Sequence, residues 1–242
     1  MGSFFAGIKA GTLSGIIYVG GMAVFNVILL YALKPQVLGV IRGSFGPICG
    51  ATATNSTANI ESCFDSVVAV DVPYVAFVAF FIALIYAGLF GRYYDSLPGT
   101  SKTLKAEAIA ALVGVSLVVF GFSGFYFNNT ASTATGAFLV AWTIVFGYLL
   151  GRLYRKYTRV VAITSQNPAL LKVLVDNSDL TGKSRTFAAT SNHKLKALLS
   201  ENASFKGWVP NGGVTLEDPK SFETVMEING DGSVSGKVSK KS

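Results

Sequence analysis

The sequence predicts a membrane all-α four-helix bundle, made of two tandem helical hairpins, followed by a small all-β C-terminal domain. Three observations lead there. Of 242 residues, 51% are hydrophobic and only 14% are charged, figures that exclude both an ordinary cytosolic protein and a disordered chain. Charge is scarce up to about Leu150 and dense afterwards. Four runs in the apolar part are almost free of charge, and each approaches the roughly twenty residues that cross the hydrocarbon as a helix.

The first run extends from Ala10 to Leu33, between Lys9 and Lys34, and the second from Tyr74 to Gly91, opened by Pro73 and closed by Arg92. The third extends from Ala108 to Phe127 after Lys105 and Glu107, and the fourth from Thr135 to Gly151, ending at Arg152. These spans, 10–33, 74–91, 108–127 and 135–151, form an expected membrane domain over 1–158. Buried helices of a soluble core are the alternative, but so many apolar runs leave too little polar surface to wrap one. The first run is too long for a cleaved signal peptide and no small-residue cleavage site precedes its polar flank, so it reads as a retained anchor.

Lys and Arg in short connecting segments set orientation. They gather at Lys9, at Arg92, Lys102 and Lys105, and at Arg152, Arg155, Lys156 and Arg159, whereas the other two loops hold only Lys34 and Arg42. The expectation is a multi-pass protein of the cell membrane with both termini cytoplasmic. Both cysteines, Cys49 and Cys63, then lie in an outer loop, where a disulfide persists. Asn55 and Asn128 open sequons in the outer loops and are possible glycosylation sites, although a third sequon at Asn202 falls on the cytoplasmic side.

The two hairpins repeat one another. Ile8-Lys9-Ala10 and Leu104-Lys105-Ala106 precede spans one and three; Gly91-Arg92-Tyr93-Tyr94 and Gly151-Arg152-Leu153-Tyr154 end spans two and four. The copies start on the same face, as in a parallel repeat, although interfacial Lys, Arg and Tyr also recur at unrelated membrane boundaries. Gly7, Gly11 and Gly15 form a small-residue stripe in span one, with Gly147 and Gly151 a shorter one in span four, and both are expected to pack helix on helix. No charge is expected in the middle of a span. Asn26 is the one strongly polar side chain deep in a span, as an interhelical hydrogen bonder or, alternatively, a solute ligand.

After an expected linker, 159–168, the pattern over 169–242 changes to short alternating segments. Leu171–Val175, Thr186–Ala189, Lys194–Leu199, Phe205–Val209, Val214–Glu217, Glu223–Ile228 and Ser233–Val238 read as strands. Asn177-Ser178, Asn211-Gly212-Gly213 and Asn229-Gly230-Asp231-Gly232 read as turns. Trp208, Phe205, Phe187 and Phe222 are expected to fill much of this thin core.

The succession His193-Lys194-Leu195, Phe205-Lys206-Gly207-Trp208, Gly212-Gly213-Val214 and Asn229-Gly230-Asp231-Gly232-Ser233-Val234 resembles the internalin-type B-repeat family of small β modules. The resemblance implies an adhesive or structural module without enzymatic activity. Such modules usually lie outside the cell, whereas the charge distribution places this tail inside. The helical part is similar in style to small uncharacterised archaeal polytopic membrane proteins whose second span ends in Gly-Arg-x-Tyr-Asp before a Leu-Pro-Gly link. That resemblance implies no activity.

No catalytic, cofactor or metal site is expected. His193 is the only histidine, Asp231 lacks calcium-loop spacing, and Gly182-Lys183-Ser184 lacks the first glycine of a phosphate-binding loop. Basic residues decorate a membrane edge, favouring anionic headgroups over nucleic acid. The expected partners are the lipid bilayer and either other membrane subunits or further copies of the chain. The reading is a structural or accessory subunit of a membrane or envelope assembly, with an oligomeric channel or small-solute transporter as the alternative. With the native cysteines replaced by serine, an impermeant maleimide applied to intact cells is expected to label Ser132→Cys and not Ser178→Cys; labelling at position 178 reverses the topology.

Overall fold

The computed structural model describes residues 3–40, 57–97, 101–119 and 129–240. Among these residues five α-helices come first: α1 (Phe4–Ala32), α2 (Lys34–Val40), α3 (Thr57–Tyr93), α4 (Lys102–Val119) and α5 (Asn129–Tyr157). Seven strands follow: β1 (Thr158–Ser165), β2 (Leu171–Val175), β3 (Ser178–Asp179), β4 (Lys183–Ala188), β5 (Ser191–Leu199), β6 (Ala203–Leu216) and β7 (Glu223–Lys240).

Among the described residues, three helices are long and apolar enough to cross a membrane, over Phe4–Ala32, Cys63–Ser96 and Ser132–Tyr157. The third expected span corresponds to α4, which starts earlier than Ala108 and carries Lys102, Lys105 and Glu107 in its first turns. Residues 120–127 of that span lie outside the described residues. Pro73 does not open the second span as expected; it lies inside α3. A proline has no N–H to give the carbonyl four residues back, so sequence patterning places a helix boundary there, yet neighbouring helices tolerate such an interruption.

The chain divides into two compact units, one formed by Gly11–Ala87 and Ala106–Gly151, the other by Met1–Ala10, Gly88–Lys105 and Arg152–Ser242. In the first unit α1 runs antiparallel to α3, with Gly11 opposite Ala87 and Gly15 within 3.5 Å of Phe80 measured from an ideal Cβ. Ala79, Ala83 and Ala87, four residues apart, are wholly buried and supply the matching small surface on α3. Against α5, Gly21 receives the Trp142 indole, while Phe25 stacks on Phe138 at 3.9 Å. Tyr86 of α3 shares a 2.9 Å hydrogen bond with Ser116 of α4, and Gly114 of α4 faces Thr143 of α5.

In the second unit, the sheet has the order β3-β2-β5-β7-β1-β4, with β6 on the other edge of β7. It is a curled mixed sheet: β1 runs parallel to β7, and the remaining pairs are antiparallel. β7 organises it, pairing first with β5 over Glu223–Ile228 and then with β1 over Gly232–Gly236. Most of the expected linker 159–168 is strand β1, whose Val161 and Ile163 are fully buried.

Two expected turns are not turns. Asn211-Gly212-Gly213 lies inside β6 and Asn229-Gly230-Asp231-Gly232 inside β7, paired across a register shift between Gly212 and Val214. A Cβ on Gly213 would overlap the backbone of Gly230, and one on Gly232 would overlap the Asn211 carbonyl. Glycine here serves close approach at a bulge, a use that looks like a turn in one dimension. Gly212 also has φ 69°, open to glycine without strain.

The core of the sheet contains Leu171, Val173, Leu195, Met226, Ile228 and Val234, all wholly buried. Phe187 and Trp208 are buried as expected, and the Trp208 indole N–H donates to the Ser221 carbonyl at 2.9 Å. Phe205 is only partly buried and Phe222 is 54% exposed, so the core relies on aliphatic side chains more than expected. Gly213→Ala is expected to destabilise the tail by about 1–3 kcal/mol through forced strand separation, read as an earlier loss of Trp fluorescence in denaturant by the full chain in detergent. An unchanged midpoint would contradict the close approach.

Candidate functional site

Among the described residues, the helical part carries a polar pair that includes a wholly buried amide. Asn26, wholly buried on α1, donates from Nδ2 to the Asp71 carboxylate on α3 at 2.8 Å. Asn26 therefore forms an interhelical hydrogen bond, and its partner is a charge. The expected second span, 74–91, leaves Asp71 outside, but α3 extends sixteen residues N-terminal to Pro73 and carries Asp71 into the candidate span Cys63–Ser96, near its N-terminal end. The signal for it in the sequence is the apolar flank Val67–Val70 ahead of Asp71, which a helix boundary at Pro73 leaves outside the span. The other amide atom, Asn26 Oδ1, is buried with no hydrogen-bond partner among the described residues.

The two Gly-Arg-x-Tyr motifs meet. Tyr94 and Tyr154 are both buried with ring centroids 5.0 Å apart, and Phe90 packs edge-on against each. The Tyr154 hydroxyl donates to the Gly91 carbonyl at 3.3 Å and accepts from the Ser3 N–H at 3.3 Å. Gly91 has no room for a side chain, because the backbone of Gly7 and the Ser3 carbonyl occupy that space. Lys105 caps the pair, donating to the Tyr94 carbonyl at 2.9 Å with its ammonium 4.5 Å from the ring centre. Nearby, burial lowers the pKa of the Lys102 ammonium; Asp231 counteracts this, and Arg155 and Arg159 reinforce it. Lys102 donates to the Thr158 hydroxyl at 3.5 Å.

The remaining expected positions are placed as follows. Gly7 and Gly151 are buried, and Gly147 lies against Glu107 and Ala110 of α4. Cys63 is buried on α3 near Leu30, Val37 and Phe64; Cys49, its expected partner, lies outside the described residues, as do Asn55 and Asn128. Asp231, expected in a hairpin turn, lies in β7 and accepts the Val160 N–H at 2.7 Å.

One constellation went unforeseen because its members become neighbours only through sheet pairing. His193 on β5 places Nδ1 2.7 Å from Asp176 Oδ2 and Nε2 2.9 Å from Ser191 Oγ. This resembles a nucleophile–base–orienter set, but the single Ser191 hydroxyl proton goes to the Ala188 carbonyl at 2.6 Å. Asp176 also accepts the Lys194 N–H at 3.0 Å, from a turn in which Asp176 and Asn177 have φ 48° and 64°. The group thus ties two hairpin turns together, with its serine oriented away from the imidazole. Among the described residues, no cluster of three or more His, Cys, Asp or Glu side chains is arranged to hold a metal ion.

Comparison with protein-family models, with curated proteins and with solved structures finds no match to this chain. The polar pair between α1 and α3 gives a direct test. Asn26→Leu leaves the Asp71 carboxylate without its donor and is expected to destabilise the helical part by about 1–3 kcal/mol, measured by thermal unfolding in detergent. Adding Asp71→Leu is expected to recover part of that loss, since removing both partners leaves no stranded charge.

Proposed function

We propose that this chain is a non-enzymatic integral membrane protein, a structural or accessory subunit of a membrane or envelope assembly whose β domain docks a partner. In this reading α1, α3, α4 and α5 form a four-helix bundle of two tandem hairpins, with both termini cytoplasmic. The observation that carries it is the apolar surface the helices leave uncovered. Only 17% of the most apolar window of α3 is buried. Val70, Tyr74, Phe77, Phe81 and Ile85 of α3, with Ile16, Val24 and Ile28 of α1, are large apolar side chains left exposed. Apolar area on that scale needs lipid or another subunit against it.

The β domain follows α5 directly, with β1 starting at Thr158 immediately after Tyr157. Its resemblance to small non-catalytic β modules favours docking over catalysis. Purification of the full chain in mild detergent is expected to yield a stoichiometric partner or a defined homo-oligomer. Isolation as a partnerless monomer contradicts the subunit reading.

A channel or small-solute transporter formed by several copies is the second reading, favoured by the unpartnered Asn26 Oδ1 beside an intramembrane carboxylate. Solute flux into liposomes holding the purified protein alone, abolished by Asn26→Leu at equal incorporation, would select it over the first.

A further inference from the structure

A cleft of about 420 Å³ lies between α4 and α5. Glu107, Gly114, Val115, Gly136, Val140 and Thr143 are among its walls, and the lining is apolar except at Glu107 and Thr143. Gly114 and Gly136 contribute no side chain, which leaves the space open. The helices therefore form a mostly hydrocarbon slot with two polar groups facing it.

The Glu107 carboxylate is an acceptor without a donor among the described residues, and Thr143 Oγ1 has only a loose contact with the Tyr18 hydroxyl. Among the described residues no hydrogen bond or ion pair engages the Glu107 carboxylate, and burial alone perturbs it, without a neighbouring charge. The adjacent cation, Lys105, is committed to the Tyr94 carbonyl and ring. Glu107 Oε2 lies over Gly147, where an added Cβ would come within 2.5 Å. One turn further along α5, Thr143 Oγ1 turns towards α4, 3.1 Å from where a Cβ on Gly114 would sit. The Tyr18 hydroxyl interacts with Thr143 only loosely, and both hydroxyl oxygens are buried without a hydrogen bond of ordinary geometry.

An uncompensated carboxylate on an apolar wall is costly, and its cost is relieved by a cation that brings its own donors. An anion is repelled by Glu107, and a plain hydrocarbon chain leaves both acceptors unsatisfied. We propose that the cleft between α4 and α5 is a binding site for amphiphilic organic cations of the ammonium class. The ammonium N–H groups donate to the Glu107 carboxylate, with Thr143 Oγ1 as the second acceptor. The apolar body lies against Val115, Leu139 and Val140. The site does not depend on whether the chain is an accessory subunit, since all of its residues belong to one hairpin.

The probe is octylammonium, with octanol as the uncharged compound of the same chain length, titrated calorimetrically against the full-length protein in mild detergent. Saturable octylammonium binding is expected, weakened at least about tenfold by Glu107→Gln, the scale of one lost charge-assisted contact. Gly136→Leu, which fills the slot without touching the carboxylate, is expected to abolish binding, and a thermal melt checks that each variant is folded. Octanol is expected to bind far more weakly. Absence of octylammonium binding to the native protein overturns the proposal. So does equal binding by folded Glu107→Gln, by folded Gly136→Leu, or by octanol.

Discussion

How closely α1 approaches α3 governs the helical part. Where apolar helices face lipid, exchanging hydrocarbon for leucine gains little, and association depends on small residues that allow close packing. Gly11 and Gly15 on α1 face Ala87 and Phe80 on α3, and the fully buried Ala79, Ala83 and Ala87 continue the seam. The same approach brings Asn26 within hydrogen-bond reach of Asp71. In the other unit Gly91 against Gly7 does comparable work, and the freed carbonyl of Gly91 receives the Tyr154 hydroxyl.

Polar groups among apolar helices follow from that geometry. Asp71 is compensated by an amide, whereas Glu107 faces the slot with no donor among the described residues and Thr143 has only a loose contact with the Tyr18 hydroxyl. A carboxylate held by a neighbouring helix acts as a specific joint; one left facing an open cleft has capacity for a ligand. The two acidic residues thus acquire different characters from what the adjacent helix places opposite them.

The β domain depends on one strand in a comparable way. β7 pairs along both edges, and the glycines at its midpoint let it pass the Asn211-Gly212-Gly213 segment of β6 without a clash. The chain changes partner there, from β5 to β1, at the same place where its register with β6 shifts between Gly212 and Val214. Asp231 secures the change by accepting the Val160 N–H from β1.

The helical nature of the first part, three of its apolar helices and the β character of the tail were legible in the sequence, because composition and periodicity record burial one element at a time. The repeat of Gly-Arg-x-Tyr was legible as a pattern, though not as two tyrosines stacked against Phe90. Pro73 and the Asn-Gly-Asp-Gly segment were misread for one reason: proline and glycine report only local backbone freedom, and neighbouring elements decide whether that freedom becomes a boundary, a turn or a close contact. Asp176, Ser191 and His193, and likewise Glu107 and Thr143, were present as letters from the start. Their grouping came only with tertiary structure, because hydrogen bonds and clefts form between residues that pairing and packing bring together. The sequence alone determined which segments avoid water; tertiary structure decided which polar groups among them have partners.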